Sequence, residues 1–417
     1  MATTNRRWLR KQLVAKILTC LFMALAAQTL AQQPTDNAAP KPAEPEKKWY
    51  DSFGIRGYMQ VRYNRLLETN EDLKCEQCDR SWGKDGGFFI RRMRLIFSGQ
   101  VGKRVYFYVQ PDLASNASST SLHFAQLRDA YFDLGLDDKN EFRLRIGQSK
   151  VPFGFENMQS SQNRLPLDRN DALNSAVSNE RDLGVFFYWA PEAKRKLFSS
   201  LVKDGLKGSG DYGIFALGAY NGQTANKPEL NQEPHVVSRI TWPFELKNGQ
   251  IIETSLQGYT GKWVMPTDQI TKDNKYIADR NYDDQRVAAT LVVYPKPFAI
   301  QAEYNVGKGP QFNPATDSIE TRDLQGGYVT LSYLMKKGHQ TIIPFVRVQH
   351  YQGGKKQELD ARSYEVDEAE IGVEWQPSKN FELVAMYTIS KRRFEDFAKQ
   401  DNLQEGRLLR LQAQLNF

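Results

Sequence analysis

The sequence predicts an all-β protein: a closed antiparallel transmembrane β-barrel of sixteen strands, with short turns at one rim and long loops at the other. Three observations predict it. Segment after segment of about ten residues alternates apolar and polar side chains, the period of a strand with two unlike faces. Sixteen such segments occur, an even number, and the links between them alternate short and long, as in a bacterial outer-membrane barrel. No window holds the roughly 18 uninterrupted apolar residues that a spanning helix needs.

A chain of 417 residues has room for two or three soluble domains or one large barrel. Hydrophobic residues make up 40%, charged residues 25%, and the mean hydropathy is −0.59. The 19 Tyr, 23 Phe and 7 Trp supply ample apolar surface, which argues against a disordered chain. A net charge of +7 suggests a polyanion partner until its position is read. Residues 1–31 carry Arg6, Arg7, Arg10, Lys11 and Lys16 and no acid; without them 51 basic residues face 49 acidic ones, a net of +2. The excess belongs to a targeting segment, and no nucleic-acid partner is expected.

Residues 1–31 read as a secretory signal peptide: a basic stretch to Lys16, an apolar run from Ile17 to Ala27, then Thr29-Leu30-Ala31 with small residues for cleavage. Residues 32–48, rich in Ala, Pro, Lys and Glu, read as a flexible periplasmic leader, and residues 49–417 as the barrel. Export places Cys75 and Cys78 in an oxidising compartment, where a Cys-x-x-Cys in a polar segment favours a local loop disulfide. A zinc site would need two more ligands nearby, and His123, His235, His339 and His350 are scattered, so no metal or cofactor is expected.

The strands follow in order. In the first, near 53–64, Ile55, Gly57, Met59, Val61 and Tyr63 share one face and Arg56, Tyr58, Gln60, Arg62 and Asn64 the other. Then come 88–99, 104–112 (Val105, Phe107 and Val109 against Tyr106, Tyr108 and Gln110), 124–134, and 141–150 (Phe142, Leu144 and Ile146 against Arg143, Arg145 and Gly147). Segments 182–190, 211–221, 235–243, 251–261 and 285–294 follow. In 298–307, Phe298, Ile300, Ala302 and Tyr304 oppose Ala299, Gln301, Glu303 and Asn305, and 323–334, 340–351, 368–376 and 381–390 come next. The last, 408–417, sets Leu409, Leu411, Ala413, Leu415 and Phe417 against Leu408, Arg410, Gln412, Gln414 and Asn416.

Short links fall at 99–103, 135–140, 244–250, 295–297, 335–338 and 377–380, and long polar ones at 65–87, 113–123, 151–181, 222–234, 262–284, 308–322, 352–367 and 391–407. Residues 191–210 break the rule: a long link stands where a short turn belongs, through either a small insertion or mis-paired strands. Lipid offers no hydrogen-bond partner, so a strand-built span must close on itself. Its apolar face then meets lipid and its polar face lines a lumen, which reconciles negative hydropathy with a membrane protein. Aromatics near strand ends, such as Tyr63, Phe88, Tyr131, Tyr188, Trp242, Trp263, Tyr294, Tyr333 and Trp375, are candidates for interfacial girdles. Arg91, outward by parity, is expected to snorkel to an interface.

Five stretches, FFIRRMRLIFSG at 88–99, LRIGQSKVPFGFE at 144–156, ERDLGVFFY at 180–188, QAEYNVGKG at 301–309 and GGYVTLSYLM at 326–335, resemble the phosphate-selective porin O/P family, in order and over the whole barrel. The resemblance implies a sixteen-stranded trimeric porin, general or anion-preferring, whose phosphate-selective members line the pore with arginines and place lysines at the constriction. Arg56, Arg62, Arg92, Arg94, Arg143 and Arg145 stand where such a lining is expected. The constriction segment 151–181 departs from the pattern. It holds no lysine, only Arg164, Arg169 and Arg181, against Glu156, Asp168, Asp171 and Glu180.

By parity those six lining arginines lie on strands one, two and five, while Glu253, Glu303, Glu370, Glu374 and Glu382 lie on strands nine to fifteen, across the lumen. Strands one and two offer no inward acid, so a basic wall with a modest preference for anions such as phosphate is expected. Arg164, Asp168, Arg169 and Asp171 are the candidate constriction residues. The expected function is passive diffusion of small anionic or polar solutes through a homotrimer in the bacterial outer membrane, in contact with its lipid. The alternative is a sugar-selective porin, with Tyr58, Tyr106, Tyr108, Tyr131 and Tyr259 as an aromatic lane. An enzyme barrel would need a Ser/His/Asp group near one rim, and no such constellation stands out in the sequence.

Overall fold

A computed structural model of the chain describes residues 48–75, 82, 87–114 and 124–417. The expected signal peptide, the leader up to residue 47 and Cys78 lie outside the described residues.

The sixteen spanning strands are β1 Gly54–Leu66, β2 Phe88–Gln100, β3 Val105–Asp112, β4 Gln126–Gly135, β5 Phe142–Lys150, β6 Arg181–Trp189, β7 Phe215–Tyr220 and β8 His235–Glu245, then β9 Ile251–Val264, β10 Asn281–Val293, β11 Phe298–Asn313, β12 Ser318–Tyr333, β13 Gln340–Gly354, β14 Ser363–Ser378, β15 Phe381–Glu395 and β16 Leu403–Asn416. A three-residue piece, Met335–Lys337, prolongs β12 along β13. Every strand pairs antiparallel with its sequence neighbours, and β1 pairs with β16, so the sheet has no free edge. Closure ends on the terminal residue: Gly57 N donates to Phe417 O at 2.7 Å and Phe417 N to Gly57 O at 3.0 Å. A side chain at Gly57 would meet the Phe417 ring at 2.7 Å, so glycine is what lets the two ends lie together.

The two-faced pattern sorts as the bilayer requires. On β10, Val287 and Leu291 face outward while Arg286, Ala288 and Thr290 are buried; on β16, Leu411 and Leu415 face outward while Arg410, Gln412 and Gln414 are buried. Strands β11 to β16 run past the segments expected from alternation, because their loop-side ends, such as Ser318–Asp323 and Lys391–Glu395, carry polar residues on both faces. Trp242, Tyr333 and Trp375 face outward as girdle residues should. Tyr188, Trp263 and Tyr294 do not; they are at most 2% exposed, packed inside the barrel.

Residues 191–210 are an insertion, and the strands around them are correctly paired, with Gly184 opposite Tyr220. Two short helices, α1 Phe155–Met158 and α2 Asp171–Ala176, lie in the long β5–β6 loop, and a longer one, α3 Glu192–Lys203, lies in the insertion.

Candidate pore constriction

The β5–β6 loop, residues 151–180, is buried almost throughout. A loop is normally solvated because its backbone needs partners; this one finds them on the inner wall. Phe153 meets Tyr259 of β9 edge-on at 5.0 Å. Phe155 N donates to Glu303 Oε2 of β11 at 2.6 Å, and Glu156 takes Arg347 of β13 at 3.1 Å. Asp171 pairs with Arg392 of β15 at 2.8 Å and with Lys355 from the β13–β14 loop. Asp168 pairs with Arg410 of β16 and, at 3.4 Å, with Arg62 of β1. Ser161 Oγ lies 2.6 Å from Tyr58 Oη and accepts from Arg94 Nη1 of β2 at 3.1 Å. The segment therefore crosses the lumen and narrows it.

The electrostatics of the loop follow from these pairs. Burial pushes the Asp168 carboxyl up, but Arg410 and Arg62 outweigh it and hold the group well below the usual carboxylate range. Asp171 behaves alike under Arg392 and Lys355, and Glu180 under Arg164, Lys150, Arg181 and Arg169. All three are anions whose charge is spent on cations beside them. Asn170 caps α2 by accepting from Leu173 N at 3.0 Å.

The expected basic wall is only partly free. Arg94 pairs with Asp112 at 2.7 Å, Arg145 with Asp133 at 2.7 Å, Arg143 with Asp211 at 2.9 Å and Arg62 with Asp168. Of the four arginines on β1 and β2, Arg62 and Arg94 are thus neutralised, by acids of the constriction loop and β3, while Arg143 and Arg145 of β5 take theirs from Asp211 before β7 and from β4. Arg56 is exposed to the lumen. Arg92 donates to Gln60 Oε1 at 2.8 Å, its Nε has no hydrogen-bond partner, and its strongest charged neighbours are Arg91, Arg62, Arg94 and Arg164.

Arg92 opens onto a cavity of about 470 Å³ on the loop side of the constriction. Seven basic side chains line it, Arg91, Arg92, Arg94, Arg128, Arg164, Arg169 and Lys227, with three acids, Asp168, Glu180 and Glu358. Arg91 lines this cavity rather than snorkelling through lipid. Gln60 faces Arg92 and Val61 faces Ile90, so Arg91 is the extra residue of a β-bulge, which re-aims it. Arg128 reaches the cavity in the same way, as the extra residue between Asp129 and Leu127 opposite Gln110 and Pro111. Strict alternation misses both, and no signal for either bulge is visible in the sequence.

The five far-wall carboxylates Glu253, Glu303, Glu370, Glu374 and Glu382 are at most 4% exposed. Arg239 lies 3.1 Å from Glu253, Arg347 2.5 Å from Glu370 and Lys207 2.5 Å from Glu374. The acids facing the basic wall are thus covered or paired. The aromatic lane is broken: Tyr58 and Tyr259 are buried in polar contacts, and Tyr108 and Tyr131 stack at 5.2 Å with Arg145 4.0 Å over the Tyr131 ring. Cys75 is disulfide-bonded and packs with Leu73, Trp82 and Leu408, while its expected partner Cys78 lies outside the described residues.

Solved structures resemble this fold. The outer membrane channel DcaP of Acinetobacter baumannii matches with a TM-score of 0.54 at 15% identity, over 89% of this chain and 99% of that one. OmpF of Salmonella typhi, in complex with daunomycin, matches at 0.53 and 12% identity, over 88% and 97%. An anion-selective porin from Comamonas acidovorans matches at 0.52 and 11% identity, over 88% and 99%. At such identities the likeness is one of fold. A sequence search of curated proteins finds no match. The profile of the family described as phosphate-selective porin O and P matches residues 69–417, the barrel from the first long loop to the last strand, and the chain belongs to that family.

Proposed function

We propose that this porin is an outer-membrane channel for passive diffusion of small solutes with a modest preference for anions, exported by cleavage of residues 1–31 and assembled as a homotrimer. The observation that carries the preference is the cavity at the constriction, with seven basic and three acidic lining residues and Arg92 held among arginines. Arginine stays ionised at any working pH and presents a fork that fits oxyanions. The paired arginines steady the wall, while Arg56 and Arg92 carry the field. The absence of lysine from 151–181 favours a general anion preference over tight phosphate binding.

The test is the reversal potential of the purified protein in a planar bilayer under a KCl gradient. A potential on the chloride side, growing in dilute salt, supports the reading; one on the potassium side overturns it. Phosphate at millimolar concentration should reduce chloride current only weakly. Heat-modifiable migration of a trimer from the outer-membrane fraction checks location and assembly, and recovery as a soluble periplasmic monomer would refute both.

A further inference from the structure

Of the connections at the short-turn rim, the one between β6 and β7 carries a helix, and passive diffusion does not require it. That rim is the periplasmic one in a barrel of this class. The helix α3 buries Phe198 and Leu201, one turn apart, in a cluster with Val292 and Tyr294 at the end of β10 and with Phe155 of the constriction loop. Its start is tied to the rim, where Glu192 N donates to Glu141 Oε1 at 3.0 Å and Lys194 Nζ to Glu245 Oε1 at 2.8 Å. The helix carries the chain across the barrel, and residues 205–208 stay on its last turn, with Leu206 N donating to Leu201 O at 3.1 Å and Gly208 N to the same oxygen at 3.4 Å.

Lys207 reaches the opposite wall. Its Nζ lies 2.5 Å from Glu374 Oε1 on β14, which is eight strands from β6 in a closed ring of sixteen and so diametrically opposite. Glu374 is fully buried, and Gln376 Nε2 donates to the same oxygen at 2.6 Å. The Lys207 carbonyl accepts from Gln159 Nε2 of the constriction loop at 2.7 Å, so the two inserted segments meet inside the lumen. Gly205 and Gly213 flank the crossing at φ +73 and +76, left-handed backbone that glycine takes without strain.

We infer that residues 191–214 form a second constriction, a cap across the periplasmic mouth latched on the opposite wall by the Lys207–Glu374 ion pair. The cap divides the periplasmic exit and props the constriction loop from beneath. Helix packing on β10 holds one side of it, while on the far wall the latch is a lysine stem against a buried carboxylate. The inference rests on the channel reading. If that reading fails, the unmodified protein carries no current at all, an outcome distinct from those below.

The experiment uses the full protein in planar bilayers, with neutral polyethylene glycols of graded size added to one face at a time. Lys207→Glu sets a carboxylate against Glu374 and the nearby Glu382. The size limit for entry from the periplasmic face should rise and conductance increase by roughly twofold or more, while entry from the loop face stays unchanged. Lys207→Glu combined with Glu374→Lys should restore both readings to the original. Lys207→Met, which keeps the aliphatic stem, serves if the charge reversal does not fold. An unchanged periplasmic size limit in a folded, heat-modifiable barrel overturns the inference, as does an equal rise from both faces.

Discussion

Reversing the charge of Arg92 separates a selective arginine from a structural one. Arg92→Glu changes the charge of the cavity by two units at a side chain with no carboxylate neighbour among those that act on it most strongly. A unit charge 4 Å from a passing ion is worth about 1 kcal/mol in bulk water and up to about 4 kcal/mol at an effective dielectric of 20. Taking the aqueous value for a wet lumen, two units cost a chloride about 2 kcal/mol at 4 Å and about 1 kcal/mol at twice that distance. At about 1.4 kcal/mol per factor of ten, chloride permeation should fall roughly five- to thirtyfold, and the anion-to-cation permeability ratio by at least that, since the same change favours potassium. The reversal potential under a KCl gradient reads this ratio directly. The shift should shrink between about 0.1 M and 1 M salt, as the screening length contracts from about 10 Å to about 3 Å. Arg104→Glu makes the same charge change on the periplasmic rim, where Arg104 is half exposed beside Asp138, and should move the potential far less. A reversal potential unmoved by Arg92→Glu in dilute salt, with the barrel intact, refutes the argument and leaves Arg92 structural.

Three further outcomes follow from the loop and the wall. Asp168→Asn removes the carboxylate shared by Arg410 and Arg62 and should loosen the constriction loop by about 3–5 kcal/mol, the cost of breaking a buried pair; noisy current and protease cleavage within 151–180 would show it, and a quiet, resistant channel would contradict it. Burial raises the carboxyls of Asp168 and Asp171, but their arginine and lysine partners hold both below the unfolded value near 3.9, so their anchoring is complete above about pH 5 and is lost as pH falls towards the folded values. Current noise should therefore rise only in strong acid, and a transition above pH 5 would point to other groups. Leu411→Arg, on the lipid face, should cost roughly 2–4 kcal/mol of barrel stability, and Gln412→Arg, on the lumen face, far less; equal losses would mean that the register of β16 is wrong.

Much of the barrel was legible along the chain. Sixteen two-faced segments, the alternating links, the closing strand and the lumen parity of Arg62, Arg94, Arg145 and Arg410 all follow from one local fact. A strand with water on one side and lipid on the other must change polarity at every residue. The anomaly at 191–210 was visible too, since a break in a strict alternation needs no partner to be seen.

The sequence by itself therefore determined the fold class, the strand count and the face of most side chains, because these depend on solvents that each residue meets separately. Tertiary structure alone decided which charges remain available. Arg94 finds Asp112 only because β2 lies beside β3, Asp168 reaches Arg410 across 242 positions of sequence, and Lys207 finds Glu374 across the full ring. Bulges at Arg91 and Arg128 turned two more cations inward against the expected parity. A charge is silenced by whatever lies within a few ångströms, and in a closed barrel that neighbour is set by ring closure and by the loops folded inside it, to which local polarity is blind.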